Sequence, residues 1–170
     1  MAYAVHAVHY VARRQEENLL WFCNLAALGI GVALILRAPT LNAIGLLWLA
    51  MGTPCWFLYL AGGGELLMGA ALTHCAGLGL GLFGVRRLGL PRDAWWKALL
   101  ALVAVHFVTR LVTPRAENVN LAFAVWPGWE PWFPSHLVYL AFLTALSAVV
   151  FLGLSRGLRA SGFAGTVVER

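Results

Sequence analysis

The sequence predicts an all-α protein, a polytopic membrane helix bundle of about five transmembrane helices preceded by an interfacial helix. Three observations predict it: hydrophobic residues make up 61% of the 170 residues, charged residues make up 11%, and five apolar runs are each long enough to cross a bilayer. Soluble domains carry about 25% charged residues, so the composition argues against a soluble enzyme. It also argues against a nucleic-acid partner, since the basic residues lie in short loops between apolar runs.

The N-terminal segment, residues 1–14, is too short to span a bilayer. It places His6, His9, Tyr10 and Arg13 on one helical face, which predicts a helix lying on the membrane surface. The apolar runs that follow end at prolines, glycines or arginines, and the predicted spans are residues 17–36, 41–61, 65–85, 95–113 and 136–154. Residues 1–154 are therefore expected to form a single transmembrane domain, and residues 155–170 a polar cytoplasmic tail.

Basic residues in the short loops predict the orientation, because they are enriched on the cytoplasmic side. One side of the predicted bundle carries Arg13, Arg14, Arg110 and Arg115. The other side carries twice as many, namely Arg37, Arg86, Arg87, Arg92, Lys97, Arg156, Arg159 and Arg170. The sequence therefore predicts a multi-pass protein of the cell membrane with its N-terminus outside and its C-terminus in the cytoplasm.

Polar residues inside the predicted spans collect in the outer half of the membrane, while the inner half is almost entirely Leu, Ala, Gly and Val. Cys23, Cys55, His74 and His106 lie at similar depths when residues are counted from the outer ends of their helices at about 1.5 Å each. Arg110 follows His106 by one helical turn and shares its face. Polar groups in a membrane interior are costly, so this clustering indicates a functional site.

The face of the third span that carries His74 is otherwise built of small residues, namely Ala70, Ala71, Gly77 and Gly81. Small residues allow a neighbouring helix to approach closely. The pattern therefore predicts that His74 faces the interior of the bundle rather than lipid.

Three kinds of function are compatible with these residues. Cys23 and His74 can form a nucleophile and general base for acyl transfer. Alternatively, His74 and His106 can ligate a b-type haem on its two axial sides or bind a quinone, or the chain can serve as a structural accessory subunit without chemistry. The sequence carries no metal-binding motif, and a Cys23–Cys55 disulfide would remove the nucleophile.

Four segments resemble a known family in the same order along the chain. Residues 20–25 (Leu-Trp-Phe-Cys-Asn-Leu) are similar to a His-Leu-Cys-Asp segment, and residues 46–54 to a Trp-Gly helix that ends near Thr-Pro. Residues 72–74 (Leu-Thr-His) are similar to a Leu-Ser-His segment. Residues 115–123 are similar to a Gly-Thr-Asn-Tyr loop, which a Trp-Pro-Trp-like stretch follows. In these segments the chain resembles the YwaF-like integral membrane proteins of bacteria, whose eukaryotic relatives are phospholipid acyltransferases.

The resemblance implies a lipid acyltransferase in which Cys23 is the nucleophile and His74 the general base. Asn118 is the best match to the loop asparagine, and Asn118 or Asn120 is expected to hydrogen-bond the oxyanion. His106 and Arg110 are expected to hold a lipid phosphate. The chain is a shortened version, since the family has about seven spans. It also departs from the family in carrying Asn24 where the family has an Asp. The expected partners are membrane lipids, and both a homo-oligomer and a larger membrane complex stay open.

Overall fold

The structure, a computed structural model, describes residues 2–165, apart from the side chains of Ala2, Val5 and His6. The predicted contribution of His6 to the N-terminal face and of Arg170 to the charge asymmetry therefore lies outside the described residues. The described part of the chain contains helices, turns and irregular segments and no strand, so the prediction of an all-α protein is confirmed.

Six helices build a bundle of membrane type. They are α1 (Ala2–Ala12), α2 (Phe22–Leu36), α3 (Pro39–Ala61), α4 (Met68–Leu88), α5 (Ala94–Val112) and α6 (His136–Ala160). Helices α3 to α6 are long and apolar enough to cross a membrane, and α2 is an apolar helix of 15 residues. We call the end that holds residues 113–135 the loop end and the opposite end the tail end. Helix α1 packs at the loop end against α2 and the start of α4.

The first predicted span, residues 17–36, is interrupted at Trp21. The segment Glu16–Leu20 is a 3₁₀ helix, Trp21 is extended (φ −55°, ψ 135°), and α2 begins only at Phe22. A residue distant in sequence caps the start of α2, because the side-chain Oδ1 of Asn120 accepts a hydrogen bond from the Phe22 amide at 2.8 Å. The amide is one of the groups that an α-helix start leaves without an internal acceptor.

Two other boundaries differ from the predicted ones. Helix α4 begins at Met68, so Glu65 lies in the preceding loop rather than in a span. Helix α6 continues past residue 154 to Ala160, because Ser155 is fully buried and the last turns pack on the bundle. After α6 the chain folds back, and the Gly165 amide donates to the Val85 carbonyl at 3.2 Å.

Glycines allow α2, α3 and α4 to pack closely. A Cβ added to Gly45 of α3 would lie 2.7 Å from Ile30 Cγ1, and one added to Gly77 of α4 would lie 2.9 Å from a Leu49 methyl group. These distances are shorter than van der Waals contact, so a larger residue would force the neighbouring side chains to shift. His74 of α4 is 4% exposed, which confirms the prediction that it faces the interior.

The tail-end half of the bundle is less uniformly apolar than the sequence pattern indicated. Asn42, near the start of α3, is fully buried and donates from Nδ2 to the Gly81 carbonyl at 3.0 Å. Gly84 leaves the space that this amide occupies, since a Cβ there would overlap the Asn42 side chain. A buried side-chain amide with a backbone partner fixes α3 against α4 more specifically than apolar contacts alone.

Candidate functional site

A cavity of about 1430 Å³ lies at the loop end, between all six helices. Of the residues predicted for a site, Cys23, His74, His106, Arg110 and Asn120 line it. Asn118 does not line it. The lining residues of the cavity fall into two groups of different polarity. We call the part near α1, α2 and α4 the polar wing and the part between α5 and α6 the apolar wing.

Cys23 and His74 face each other in the polar wing across Gly52. A Cβ added to Gly52 would lie 2.9 Å from Cys23 Sγ and 3.8 Å from His74 Cε1. The two distances laid end to end hold the Sγ–Cε1 separation below about 7 Å, so general-base catalysis requires the thiol and the imidazole to move closer together. Cys23 and His74 thus lie at the similar depth inferred from the sequence and also face each other, which their depth alone did not predict.

The His74 ring is held by two neighbours on α3. Thr53 Oγ1 lies 3.3 Å from His74 Nδ1, and the Trp56 ring stacks on the imidazole with centroids 4.8 Å apart and planes at 9°. His74 itself lies in a π-helical turn, Leu72–Ala76, within α4. Such turns insert one extra residue into a helix and are frequent at functional sites. When Nδ1 carries the ring proton it donates to Thr53, and Nε2 then carries the lone pair.

Gly52, Thr53 and Trp56 were missed by sequence reasoning. All three lie within about one helical turn of Cys55, and Pro54 directly follows Thr53. A search for residues at the depth of Cys55 would have found them, because α3 passes next to both Cys23 and His74. Trp56 has a further property: its Nε1 is buried in the cavity wall and has no hydrogen-bond partner among the described residues.

The mouth of the polar wing is bordered by α1. The Tyr10 side chain hydrogen-bonds Asn24, and burial raises the pKa of the Tyr10 hydroxyl, which the nearby Tyr59 hydroxyl raises further. The Tyr10 hydroxyl therefore keeps its proton at physiological pH. Arg13 reaches Glu65 at 3.9 Å, with both side chains more than half exposed. Exposed ion pairs of this kind contribute at most about 1 kcal/mol.

The amide of Asn120 is fully engaged in holding the loop to the bundle. Besides accepting from the Phe22 amide, its Nδ2 donates to the Leu20 carbonyl at 2.8 Å and to Thr109 Oγ1 at 3.1 Å. Asn118 serves the loop alone, since Oδ1 accepts from the amides of Phe123 and Ala124. In this conformation neither asparagine directs a side-chain donor toward Cys23.

Arg110 and His106 both line the cavity but differ in their hydrogen-bond partners. Arg110 donates from Nη1 to the Ala122 carbonyl at 2.9 Å and lies 5.7 Å from the centre of the Phe123 ring, so it also braces the loop. His106 lines the cavity, and its buried Nε2 has no hydrogen-bond partner among the described residues. Both residues lie on the loop-end half of α5, at the rim of the apolar wing.

The apolar wing is lined mainly by hydrocarbon side chains of α5 and α6. Its lining residues include Leu99, Leu102, Val103, Leu140, Leu143, Leu146 and Phe151. Small residues on one face of α6 create its width, namely Ala141, Ala145 and Ala148. The cavity as a whole is therefore amphiphilic, with hydrogen-bonding groups on one side of α3 and hydrocarbon on the other.

The cysteines are free thiols, so the alternative of a Cys23–Cys55 disulfide is not realised in the structure. Cys55 lines the cavity, whereas Cys75 is exposed outside it. Within residues 2–165, no group of three His, Cys, Asp or Glu side chains is arranged to hold a metal ion. His74 and His106 both line the cavity, and haem or quinone binding between them stays a prediction.

Comparison with known proteins identifies no relative: no family model, no curated protein and no solved structure matches the chain. The resemblance to the YwaF-like family therefore stays a prediction that rests on the four short segments, and so does the expectation of a homo-oligomer or a larger complex.

Proposed function

We propose that the protein transfers acyl groups between membrane lipids, with Cys23 as the nucleophile and His74 as the general base. The facing of Cys23 and His74 across Gly52, inside an amphiphilic cavity of a membrane-type bundle, carries the proposal. A thiol nucleophile and an imidazole base that can reach each other are the minimum that covalent acyl transfer needs. A cavity with a polar and an apolar side suits a substrate that has a head group and a hydrocarbon chain.

The reaction divides into two steps. In the first, His74 removes the thiol proton, the Cys23 sulfur attacks the ester carbonyl carbon, and the carbon–oxygen ester bond breaks. The departing alkoxide takes the proton from His74 and leaves as a lysolipid alcohol, while the acyl group stays on Cys23 as a thioester. In the second step an acceptor hydroxyl loses its proton to His74 and attacks the thioester, and the thiolate recovers the proton.

Thr53 and Trp56 suit supporting roles in this scheme. Thr53 Oγ1, 3.3 Å from Nδ1, can accept the Nδ1 proton in a hydrogen bond and so orient the ring with Nε2 ready to accept the thiol proton, a task that a carboxylate performs in many Cys–His enzymes. Trp56 carries a buried indole N–H without a partner in the described part of the chain, next to the imidazole on which it stacks. It is therefore a better candidate than Asn118 or Asn120 to donate to the oxyanion.

Labelling with an acyl donor tests the nucleophile. A phospholipid with a tagged acyl chain should leave an adduct on the wild-type protein that hydroxylamine removes, because hydroxylamine cleaves thioesters. The Cys23→Ser protein should carry no hydroxylamine-labile adduct. Cys75→Ser is the matched control and should label like wild type, since Cys75 is exposed outside the cavity. Equal labelling of Cys23→Ser and wild type would show that the nucleophile is assigned wrongly.

The proposal includes an orientation in which the loop end faces outward, so that the reaction takes place in the outer leaflet and His106 and Arg110 meet lipid phosphates there. Its support is the collection of exposed arginines at the tail end, among them Arg37, Arg86 and Arg156. Gly128 in the loop and Gly162 in the tail are both exposed and have positive φ, which makes them a matched pair. With the native cysteines replaced by serine, Gly128→Cys in intact cells should react with an impermeant maleimide, and Gly162→Cys should not. The reverse pattern would invert the topology.

A further inference from the structure

We propose that the apolar wing binds one acyl chain of a membrane lipid, which enters sideways from the bilayer between α5 and α6. The carbonyl end of this chain lies near Met51, where the two wings meet. The inference deepens the proposed function and rests on it for the identity of the reacting end. Its test, however, does not use the thiol.

The position of Met51 places the junction of the wings along α6. Ser147 Oγ lies 3.2 Å from Met51 Sδ, so Ser147 marks the level of Gly52 and of the Cys23–His74 pair. From Ser147 the lining residues of α6 continue to Leu137 on the loop side, about 15 Å of helix, and to Phe151 on the tail side, about 6 Å. One leaflet of a bilayer has a hydrocarbon thickness of about 15 Å, which is the space that one acyl chain fills. The wing is therefore long enough for a complete chain.

The wing is open on the side that faces the bilayer. Val103 is 45% exposed, Phe107 62% and Leu146 39%, although all three line the cavity. An apolar space of this size that communicates with hydrocarbon holds hydrocarbon rather than water, because water finds no polar partners there. The polar wing at its other end, with Tyr10 and Asn24, selects a chain that carries a polar head over plain hydrocarbon.

Filling the wing should expel the chain. Ala145 of α6 lines the cavity, and phenylalanine there would occupy the space of about two methylene groups. Their lost contacts should lower retention of the chain about tenfold. Ala104 of α5 is also exposed but does not line the cavity, so Ala104→Phe is the matched control and should retain the chain as the parent protein does.

The experiment uses the full chain with Cys23→Ala, in which no acyl transfer is possible. The probe is palmitoyl lysophosphatidylcholine with a photoreactive diazirine near the chain end, bound in detergent micelles and activated by light. We expect adducts on α5 and α6 at wing residues, competition by unlabelled palmitoyl lysophosphatidylcholine, and about tenfold less adduct in the Ala145→Phe protein.

Three results would overturn the inference: equal labelling of the Ala145→Phe and Ala104→Phe proteins, adducts spread evenly over the outward faces of the helices, or competition only by an isoprenoid quinone. The even spread would mean surrounding lipid alone, and the last result would favour the quinone alternative. If the wing carried adducts but wild type and Cys23→Ser labelled equally with the acyl donor, acyl transfer through Cys23 would be refuted and the binding site for the acyl chain would be supported. The two failures are therefore distinguishable.

Discussion

Alanine at position 52 should lower acyl transfer at least about 100-fold while the bundle stays folded. The added methyl group would lie 2.9 Å from Cys23 Sγ and 3.8 Å from His74 Cε1, in the gap through which the proton must pass. It forces the thiol away from the imidazole, and displacements of about 1 Å in a reacting pair cost about this factor. Initial rates of transfer from a fluorescent phospholipid measure the effect.

The matched control for Gly52→Ala is Gly153→Ala. Gly153 lies within α6 and a Cβ there meets nothing within 4 Å, so the helix interior gains an alanine without a clash. We expect unchanged transfer and a slight gain in stability, of about 0.5–1 kcal/mol, because alanine favours the helix more than glycine does. If Gly52→Ala transferred acyl groups at the wild-type rate, the facing of Cys23 and His74 across Gly52 would have no catalytic meaning.

Replacement of Asn120 by alanine should destabilise the protein by about 4 kcal/mol, of which the lost hydrogen bonds contribute about 3 kcal/mol, and lower its melting temperature by about 12 °C. Its amide satisfies the Phe22 amide, the Leu20 carbonyl and Thr109 Oγ1 at a site where Asn120 is 4% exposed. Alanine leaves these groups without partners, and because those at Phe22 and Leu20 are only partly buried, each costs about 1 kcal/mol. Thermal unfolding in detergent, followed by tryptophan fluorescence, measures the loss.

Two further variants separate the causes. Asn120 has φ 56°, which strains alanine by about 1–2 kcal/mol, and Asn120→Gly removes the amide without this strain. It should therefore recover only that part of the loss. Asn118 also has positive φ, but its hydrogen bonds stay within the loop, so Asn118→Ala should destabilise less than Asn120→Ala. Equal losses for the two alanine variants would mean that Asn120 does not connect the loop to α2.

The fold could be predicted from the sequence to the extent that it depends on apolar run length. Runs of about 20 apolar residues gave α3 to α6 nearly in full, because a hydrogen-bonded helix is the structure that such a run adopts in hydrocarbon. The break at Trp21 could not be predicted. It depends on Asn120, a partner 98 residues beyond Phe22, and a local pattern carries no information about so distant a cap.

For the candidate site, the sequence predicted how deep Cys23 and His74 lie in the membrane but not which way their side chains point. Counting residues placed Cys23 and His74 at one level, because the rise of a helix is fixed. Which way each side chain points depends on how closely the helices approach, and here that depends on the missing Cβ of Gly52. Loop residues were harder still: Asn118 and Asn120 stand close in sequence, yet one bonds within the loop and the other to two helices.

Helix α1 turns His9 and Tyr10 toward the cavity and leaves Val8 and Val11 exposed, at 72% and 52%. A helix with its apolar side chains outward is stable only where its surroundings are apolar, so the entrance beside α1 opens below the level of bulk water. We therefore expect the substrates of the proposed reaction to reach Cys23 from the bilayer phase. The rate of reaction should then follow the mole fraction of a substrate in its leaflet, a two-dimensional concentration, and dilution of the vesicles in buffer should leave it unchanged.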